Sequence, residues 1–155
     1  MRISQDAGAA CNCGRRGCWE QYASATGLIR LTKEAMAAHP ESTLHRLAAE
    51  QGGVEGRTAF QAAQAGDEAA AAVCRRYAAY LADGVINLVN ILRPEVLAIG
   101  GGVAAAPEEW LLDPLRKLVE RESFARHGGR TTRILPAELG NDAGIIGAAL
   151  LGRVI

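Results

Sequence analysis

The chain has 155 residues, 49% of them hydrophobic and 22% charged, which is enough for one globular domain with its own core. Its 17 basic and 17 acidic residues balance, so it lacks the basic surface with which proteins bind nucleic acid or an anionic membrane. No basic leader with an apolar run opens the chain, and no apolar stretch approaches the roughly 18 residues of a spanning helix, so we expect a cytoplasmic protein.

Three cysteines, Cys11, Cys13 and Cys18, lie close together near the start of the chain. Thiolates at this spacing can converge on one tetrahedral zinc ion, and Gly14 and Gly17 allow the tight turns that convergence requires. Inside a cell, close-set cysteines favour a metal, although a disulfide and free thiols remain alternatives. A structural zinc takes four ligands, so this cluster leaves one ligand to be supplied from elsewhere.

Helices are predicted for the first half of the chain, after a segment, residues 1–4, that resembles the end of a strand. Apolar residues recur at three- and four-residue steps from Trp19 to Ala38. The pair His39–Pro40 ends this helix, because the residue before a proline is disfavoured in the α region. A second, shorter helix is predicted over residues 42–50.

The next predicted helices surround Asp67. Residues 58–65 form a short helix that begins with the sequence of a capping box, Thr58–Gln61. Asp67 caps the longest helix, which ends at Arg93–Pro94. Its apolar stripe, in which Cys74 is an ordinary buried side chain, indicates the central core helix: Ala70, Val73, Cys74, Tyr77, Leu81, Val85, Leu88 and Leu92.

The last third of the chain alternates strands and helices. Strands are predicted over residues 95–99 and 131–135, with helices over 107–124 and 143–151, the last one apolar almost all round and therefore buried. This order predicts an α/β fold with parallel strands joined by a crossover helix. Two strands are too few for a sheet covered on both faces, so the domain is expected to be incomplete.

A run of three glycines, Gly100–Gly102, follows the first of these strands. Ligands of open α/β sheets bind at the carboxyl ends of strands, where glycines let a nucleotide approach the backbone. A tight turn between strand and helix explains the glycines equally well. No Gly-Lys-Ser/Thr sequence follows, so the run is not a Walker A loop.

The cysteine cluster resembles the zinc motif of the ROK family of sugar kinases, open reading frames and repressors. The match runs through Cys11-x-Cys13-Gly14-x-x-Gly17-Cys18-x-Glu20 and continues with Gln21-Tyr22-Ala23-Ser24, where it is most similar to actinobacterial glucokinases. Later segments agree in the same order, namely Asn90–Pro94, Ile99–Val103 and Gly140–Ala149. One departure is Ala25, at a position where the family usually has glycine.

The resemblance implies the fold and the site. It implies the actin-like, ribonuclease H-like ATPase fold. It also implies a reaction in which, with Mg²⁺, the γ-phosphoryl group of ATP is transferred to a sugar hydroxyl, here converting glucose to glucose 6-phosphate. The residues that match family positions are the zinc ligands Cys11, Cys13 and Cys18, the sugar-binding Glu20, the adenosine-binding Gly100, Gly101 and Gly102, and the hinge-side Gly144 and Gly147. Glu20 could instead only favour the positive end of a helix macrodipole, and the two hinge-side glycines could serve packing alone.

The resemblance also implies that functional parts lie upstream. The family's fourth zinc ligand is a histidine at a position at or before Met1, and the three histidines present, His39, His45 and His127, are predicted to be solvated surface residues. The family's catalytic aspartate and its first phosphate-binding segment are upstream as well. We therefore expect the carboxyl-terminal lobe of a kinase over residues 1–155, with no catalytic base and no activity on its own.

A non-catalytic interpretation remains open. The same lobe occurs in sugar-sensing repressors of the family, whose DNA-binding helices lie upstream of it. The resemblance also implies self-association into homo-oligomers, with a hexose and ATP as ligands of the complete enzyme and no nucleic-acid or membrane partner. The incomplete sheet would leave a strand edge exposed.

Overall fold

The structure is a computed structural model that describes residues 1–4, 8–124, 128 and 131–151. These residues form seven helices and two strands: α1 (Glu20–Ala23), α2 (Ala25–Ala38), α3 (Leu44–Glu50), α4 (Thr58–Gln64), α5 (Glu68–Leu92), β1 (Val96–Ile99), α6 (Leu112–Glu122), β2 (Arg133–Pro136) and α7 (Ala143–Leu151). Short 3₁₀ turns cover Gly102–Ala105, Glu108–Trp110 and Gly140–Asp142. The sequence predicts a polar, glycine-containing turn over residues 126–130, which lies outside the described residues except for Gly128.

None of the helices described within residues 1–4, 8–124 and 131–151 could span a lipid bilayer.

The predicted helix from Trp19 to Ala38 is divided in two at Ser24. This residue is extended, with φ −90° and ψ 169°, and its side chain accepts a hydrogen bond of 3.1 Å from the Gly27 N–H. Ser24 therefore ends α1 and caps α2, which is why one periodic pattern contains two helices. The predicted end at His39 is confirmed, because α2 stops at Ala38.

Of the two caps predicted around α4 and α5, only one forms. Asp67 caps α5 by accepting a hydrogen bond of 2.9 Å from the Ala70 N–H, as predicted. The capping box at Thr58 is wrong, because Thr58 is already helical and its hydroxyl contacts the preceding turn instead. It accepts from the Glu55 N–H at 2.9 Å and donates to the Gln51 side chain.

Helix α5 is the centre of the core, with α2, α4 and α6 packed against it. Its predicted apolar stripe is buried from Ala70 to Val85, but Leu88 is only half-buried and Leu92 is 68% exposed. Val89 is the last buried residue of α5. The largest fully buried side chains of the core are Leu28, Leu44, Tyr77, Val85, Leu111, Leu112 and Leu115.

The two strands are parallel, as predicted, with Val96 opposite Arg133 and Ile99 opposite Pro136. Helix α6 forms the crossover between them and packs against β2, where Arg116 on α6 donates a hydrogen bond of 3.0 Å to the Ile134 carbonyl. The predicted helix over residues 107–124 is shorter, because a 3₁₀ turn precedes Leu112 and the helix ends at Glu122.

The burial predicted for the last helix is wrong. None of the residues of α7 is buried, and Ile145 and Leu151 are 73% and 71% exposed. The helix is apolar all round, but an apolar helix is buried only where another surface covers it. In the described part of the chain α7 contacts chiefly the 3₁₀ turn that precedes it.

Candidate functional site

The cysteine cluster is built on a tight backbone turn. Ala10 and Arg16 form an antiparallel bridge, and the Cys11 N–H donates to the Arg15 carbonyl at 2.8 Å. At the tip, the Gly14 N–H donates to the Cys11 carbonyl at 3.0 Å, and Gly14 has a positive φ of +81°. A left-handed residue at the tip of a tight turn favours glycine, in agreement with the role predicted for Gly14.

Gly17 fixes this turn against the start of the chain. It has a φ of +75°, and a Cβ atom on it would lie 1.9 Å from the Ser4 carbonyl oxygen. The Ile3 N–H donates to the Gly17 carbonyl at 2.9 Å, and Arg2 forms an antiparallel bridge with Cys18. Within the described residues, the strand end predicted at residues 1–4 is therefore limited to one bridge to the cysteine turn.

The three sulfurs converge. The Sγ atoms of Cys11, Cys13 and Cys18 lie within 4.8 Å of one another, and the Cys13–Cys18 distance is 3.5 Å. Sulfurs bound tetrahedrally to zinc at about 2.3 Å are about 3.8 Å apart, so these residues fit a zinc ion in spacing and in chemistry. Among the described residues, only these three cysteines form a group able to hold a metal.

The thiols of the pair Cys13 and Cys18 differ in acidity. The main cause that lowers the pKa of Cys13 is a hydrogen bond to the Arg15 backbone, and hydrogen bonds to Cys11 and Cys18 lower this pKa further. Hydrogen bonding to Cys13, together with desolvation, raises the pKa of Cys18 to about 11. The two sulfurs lie close enough for a hydrogen bond between them, and metal binding would release their thiol protons.

No described histidine lies in the metal-binding group. His39 and His45 are exposed, as predicted, and the His45 ring is within hydrogen-bond distance of the Met36 and His39 carbonyls. His127 lies outside the described residues. The fourth ligand is thus not among the described histidines.

Glu20 presents its carboxylate beside the sulfur group. Its Oε2 atom lies 3.8 Å from Cys11 Sγ and accepts a hydrogen bond of 3.2 Å from the Gln21 side-chain amide. Glu20 is exposed and is the first residue of α1, so a helix-end role stays compatible with its position. Because α1 has only four residues, its macrodipole is a weak reason for a carboxylate here.

Aromatic side chains attach the cysteine turn to α5, a relationship that the sequence analysis missed. The Trp19 indole N–H donates to the Tyr80 carbonyl at 2.8 Å, and the Tyr22 hydroxyl accepts from the Ala9 N–H at 2.8 Å. The Tyr22 and Tyr80 rings contact each other with centroids 4.8 Å apart. Gly84 lies within the strongly periodic pattern of α5. A glycine at such a position indicates a close contact with another part of the chain, and it was the signal from which this attachment could have been predicted.

The triple glycine lies at the carboxyl ends of both strands. The Ala137 N–H donates to the Ile99 carbonyl at 2.8 Å, which brings the segment after β2 beside Gly100. Gly100, Gly101 and Gly102 are all exposed, and Gly101 has a positive φ of +80°. The backbone is therefore open to a ligand here, while the left-handed turn alone also explains the glycine at position 101.

The remaining predicted positions lie apart from the sulfur group. Gly144 and Gly147 are on exposed α7, with nothing within 4 Å of a Cβ atom built on either, so neither permits a close contact within the described residues. A groove of about 390 Å³ between α6 and β2, lined partly by Arg116 and Ser123, contains none of the predicted site residues.

The fold and the cysteine site together define a class of protein. A sequence model of the ROK family matches residues 2–154, so the chain belongs to the ROK family. It has the actin-like ATPase fold of that family's sugar kinases, with a helix-rich body and a small parallel sheet.

Relatives of this chain include glucokinases. The chain is 42% identical over 152 residues to a glucokinase of Halalkalibacterium halodurans, a match that covers 97% of this chain and 45% of the relative. It superposes with a TM-score of 0.84 on the ROK family glucokinase of Streptomyces griseus, solved in complex with glucose and AMPPNP. That structure is 37% identical, and the match covers 99% of this chain and 49% of the other.

A transcriptional regulator of the ROK family, homologous to the E. coli MLC protein, superposes with a TM-score of 0.79 at 23% identity. This match covers 99% of this chain and 37% of the regulator and concerns the fold alone. The chain thus spans about half the length of the relatives it matches.

Proposed function

We propose that residues 1–155 are the carboxyl-terminal lobe of a cytoplasmic ROK sugar kinase. This kinase phosphorylates a hexose with ATP and converts glucose to glucose 6-phosphate. The observation that carries the proposal is the convergence of Cys11, Cys13 and Cys18 beside the carboxylate of Glu20. Membership of the ROK family and similarity to glucokinases over the whole chain support it.

Zinc has a structural role in this proposal. The thiolates of Cys11, Cys13 and Cys18 would hold the ion, and a fourth ligand would come from outside the described histidines. Zinc bound by thiolates stabilises a local fold and has no open position for catalysis when four ligands are present. The metal would fix the turn that ends two residues before Glu20.

Glu20 would bind the sugar. A carboxylate accepts two hydrogen bonds from neighbouring hydroxyls, and such charge-assisted bonds are stronger than neutral ones. The Gln21 amide already donates to Oε2 and so restricts the orientation of the carboxylate. Because Glu20 is exposed, its remaining acceptor positions are accessible to a ligand.

ATP would approach the exposed backbone at Gly100, Gly101 and Gly102, with Mg²⁺ neutralising its phosphates. Phosphoryl transfer depends mostly on positioning and charge neutralisation, so both lobes of such a kinase must contribute. We assign no catalytic base to this chain, and therefore expect no phosphotransferase activity from residues 1–155 alone. We also propose that the protein self-associates into homo-oligomers.

The proposal is tested with two preparations. The purified chain is expected to show no ATP-dependent phosphorylation of glucose, whereas a chimera in which it replaces the matching half of the Streptomyces griseus glucokinase is expected to be active. In the chimera, Glu20→Gln should raise the KM for glucose about tenfold or more, because a hydrogen bond to a charged group contributes about 1.5–3 kcal/mol.

Glu68→Gln is the matched control, since Glu68 is also an exposed acid in the first turn of a helix. A folded chimera without glucose turnover would refute the proposed function. Equal kinetics for Glu20→Gln and Glu68→Gln would instead favour the macrodipole interpretation of Glu20.

A sugar-sensing lobe of a repressor is the second candidate, supported by the similar fold of the ROK transcriptional regulator. Under this hypothesis the chimera would bind glucose, measured by calorimetry, but would not transfer phosphate. The balanced charge of the chain does not favour DNA binding, so under this hypothesis we assign DNA binding to another segment.

A further inference from the structure

Two of the clustered cysteines form a close pair. Cys13 Sγ and Cys18 Sγ lie 3.5 Å apart, while Cys11 Sγ lies within 4.8 Å of both and 3.8 Å from the Glu20 carboxylate. A disulfide bond is about 2.05 Å long, so these two sulfurs need to approach by only roughly 1.5 Å. The intervening turn contains Gly14 and Gly17, whose φ angles few other residues adopt.

We propose that Cys13 and Cys18 are a redox-active pair, which a hydroperoxide oxidises to a disulfide in competition with metal binding. Cys13 is exposed and Cys18 is half-buried, so a peroxide in solution reaches Cys13 first. This assigns Cys13 as the residue that is oxidised and Cys18 as the residue that resolves the product.

The chemistry takes two steps. The Cys13 sulfur attacks one oxygen of hydrogen peroxide, the O–O bond breaks, and the products are a sulfenic acid on Cys13 and one water. The Cys18 sulfur then attacks the Cys13 sulfur, forms the S–S bond and displaces the hydroxyl group, which leaves as a second water. The two thiols lose two electrons in total, and the peroxide gains them.

The other two cysteines of the chain are excluded by their surroundings. Cys74 is 0% exposed in α5, so a peroxide does not reach it. Cys11 remains a single thiol after the pair has closed, because the chain contains four cysteines in all.

Disulfide formation and metal binding exclude each other. Zinc binds thiolates, and the disulfide would remove two of the three that the cluster offers. Oxidation would therefore release the ion and free the turn that precedes Glu20. This last consequence rests on the proposed function, whereas formation of the disulfide does not.

The test oxidises the purified chain with stoichiometric hydrogen peroxide, once after chelator treatment and once loaded with zinc. Trypsin cleaves after Arg15 and Arg16, so Cys13 and Cys18 fall on separate peptides that only a disulfide joins. We expect the joined peptides in the mass spectrum of the chelator-treated wild type, with loss of two of the four thiols. The variants C11S and C74A should give the same product, and C13S and C18S should not.

Trapping distinguishes the roles of the two sulfurs. C18S should accumulate a sulfenic acid on Cys13 that dimedone labels, which supports the assignment even if C13S does not fold. Joined peptides in C13S, a disulfide confined to the Cys11–Cys13 peptide, or oxidation without any disulfide would each overturn the proposal.

In the zinc-loaded sample, metal release followed with a colorimetric chelator should track the joined peptides one to one. A disulfide that forms while zinc stays bound would overturn the competition, and it would leave the kinase assays of the chimera unaffected. If the chimera does not phosphorylate glucose while the purified chain forms the disulfide normally, only the proposed function is contradicted.

Discussion

The indole ring of Trp19 lies directly against Gly84 in the middle of α5. A Cβ atom on Gly84 would fall 2.0 Å from Trp19 Cε2 and 2.4 Å from two further ring atoms. Trp19 lies between the cysteine Cys18 and the carboxylate of Glu20 in the sequence. The absence of a side chain at position 84 therefore sets how closely the cysteine turn packs onto the core helix.

The first prediction concerns this contact. A helical glycine replaced by alanine ordinarily gains up to about 1 kcal/mol, but here the new methyl group collides with a ring that is held by the Tyr80 carbonyl. Overpacking typically costs 1–3 kcal/mol, and a clash of 2.0 Å belongs at the upper end, so we expect Gly84→Ala to lower the stability by about 2 kcal/mol net. Urea denaturation measures the change, and Trp19 fluorescence, recorded with Trp110→Phe in both proteins, reports displacement of the ring.

Gly56→Ala is the control for Gly84→Ala, because no atom lies within 4 Å of a Cβ built on Gly56. Its midpoint should stay close to that of the wild type. A Gly84→Ala variant that is as stable as Gly56→Ala would contradict the close contact.

The second prediction compares two left-handed glycines in the cysteine turn. Gly17→Ala introduces a Cβ atom 1.9 Å from the Ser4 carbonyl oxygen, whereas the same change at Gly14 meets open space. Gly14→Ala should cost only the conformational energy of a left-handed alanine, about 1–2 kcal/mol. Gly17→Ala should cost more and should also reduce zinc uptake, measured by metal analysis after dialysis against zinc. Equal zinc content in the two variants would argue against a turn positioned by Gly17.

The third prediction concerns Asp67, which joins α5 to the start of α3. Its carboxylate accepts bonds from Ser42 Oγ at 2.8 Å and from the Thr43 N–H at 2.7 Å, besides capping α5 through Ala70. Partial burial raises the pKa of Asp67, but these hydrogen bonds outweigh it and lower the pKa to about 2. Because the folded pKa lies below the ordinary value of 3.8, the carboxylate stabilises the fold above about pH 4.

That stabilisation is lost as the pH falls from about 4 to 2. We expect Asp67→Asn, which keeps the shape and a capping oxygen, to be less stable at pH 7 by about 1 kcal/mol, a value discounted for solvent screening. The difference between wild type and variant should shrink towards zero near pH 2. Urea midpoints measured across this range test it, and a difference independent of pH would show that the charge contributes nothing.

The fourth prediction uses two tyrosines of α5. The fully buried Tyr77 donates its hydroxyl to the Ala23 carbonyl at 2.8 Å, at the junction of α1 and α2. Tyr77→Phe leaves that carbonyl without its donor and should cost about 1 kcal/mol, or roughly 2–4 °C in Tm for a chain of this size. Tyr80→Phe is the matched control, because the Tyr80 hydroxyl accepts from the exposed Arg76. Equal Tm values for the two variants would refute the role of the Tyr77 hydroxyl.

Much of the fold follows from local pattern. The stripe on α5, the end of α2 at His39–Pro40 and the cap at Asp67 each depend on residues within one or two helical turns, which is why periodicity and cap chemistry predict them. The pairing of β1 with β2 as parallel strands follows from the intervening helix α6.

Three features were mispredicted, and two of them involve contacts between residues close together in the chain. Ser24 divides one apolar pattern into two helices, and Thr58 contacts the preceding turn instead of forming its capping box. The exposure of α7 could not be predicted from its composition, because burial depends on which surface covers a helix.

The sequence by itself determined the chemistry of the candidate site: three thiols at close spacing, two glycines that permit the turn, and a carboxylate two residues after the third thiol. Only the tertiary structure decided that the thiols converge, that Cys13 and Cys18 are the close pair, and that Trp19 on Gly84 attaches the turn to the core. The physical reason is that residue types fix which bonds a segment can form, whereas distances between sulfurs or between a ring and a helix depend on packing among residues far apart in the chain.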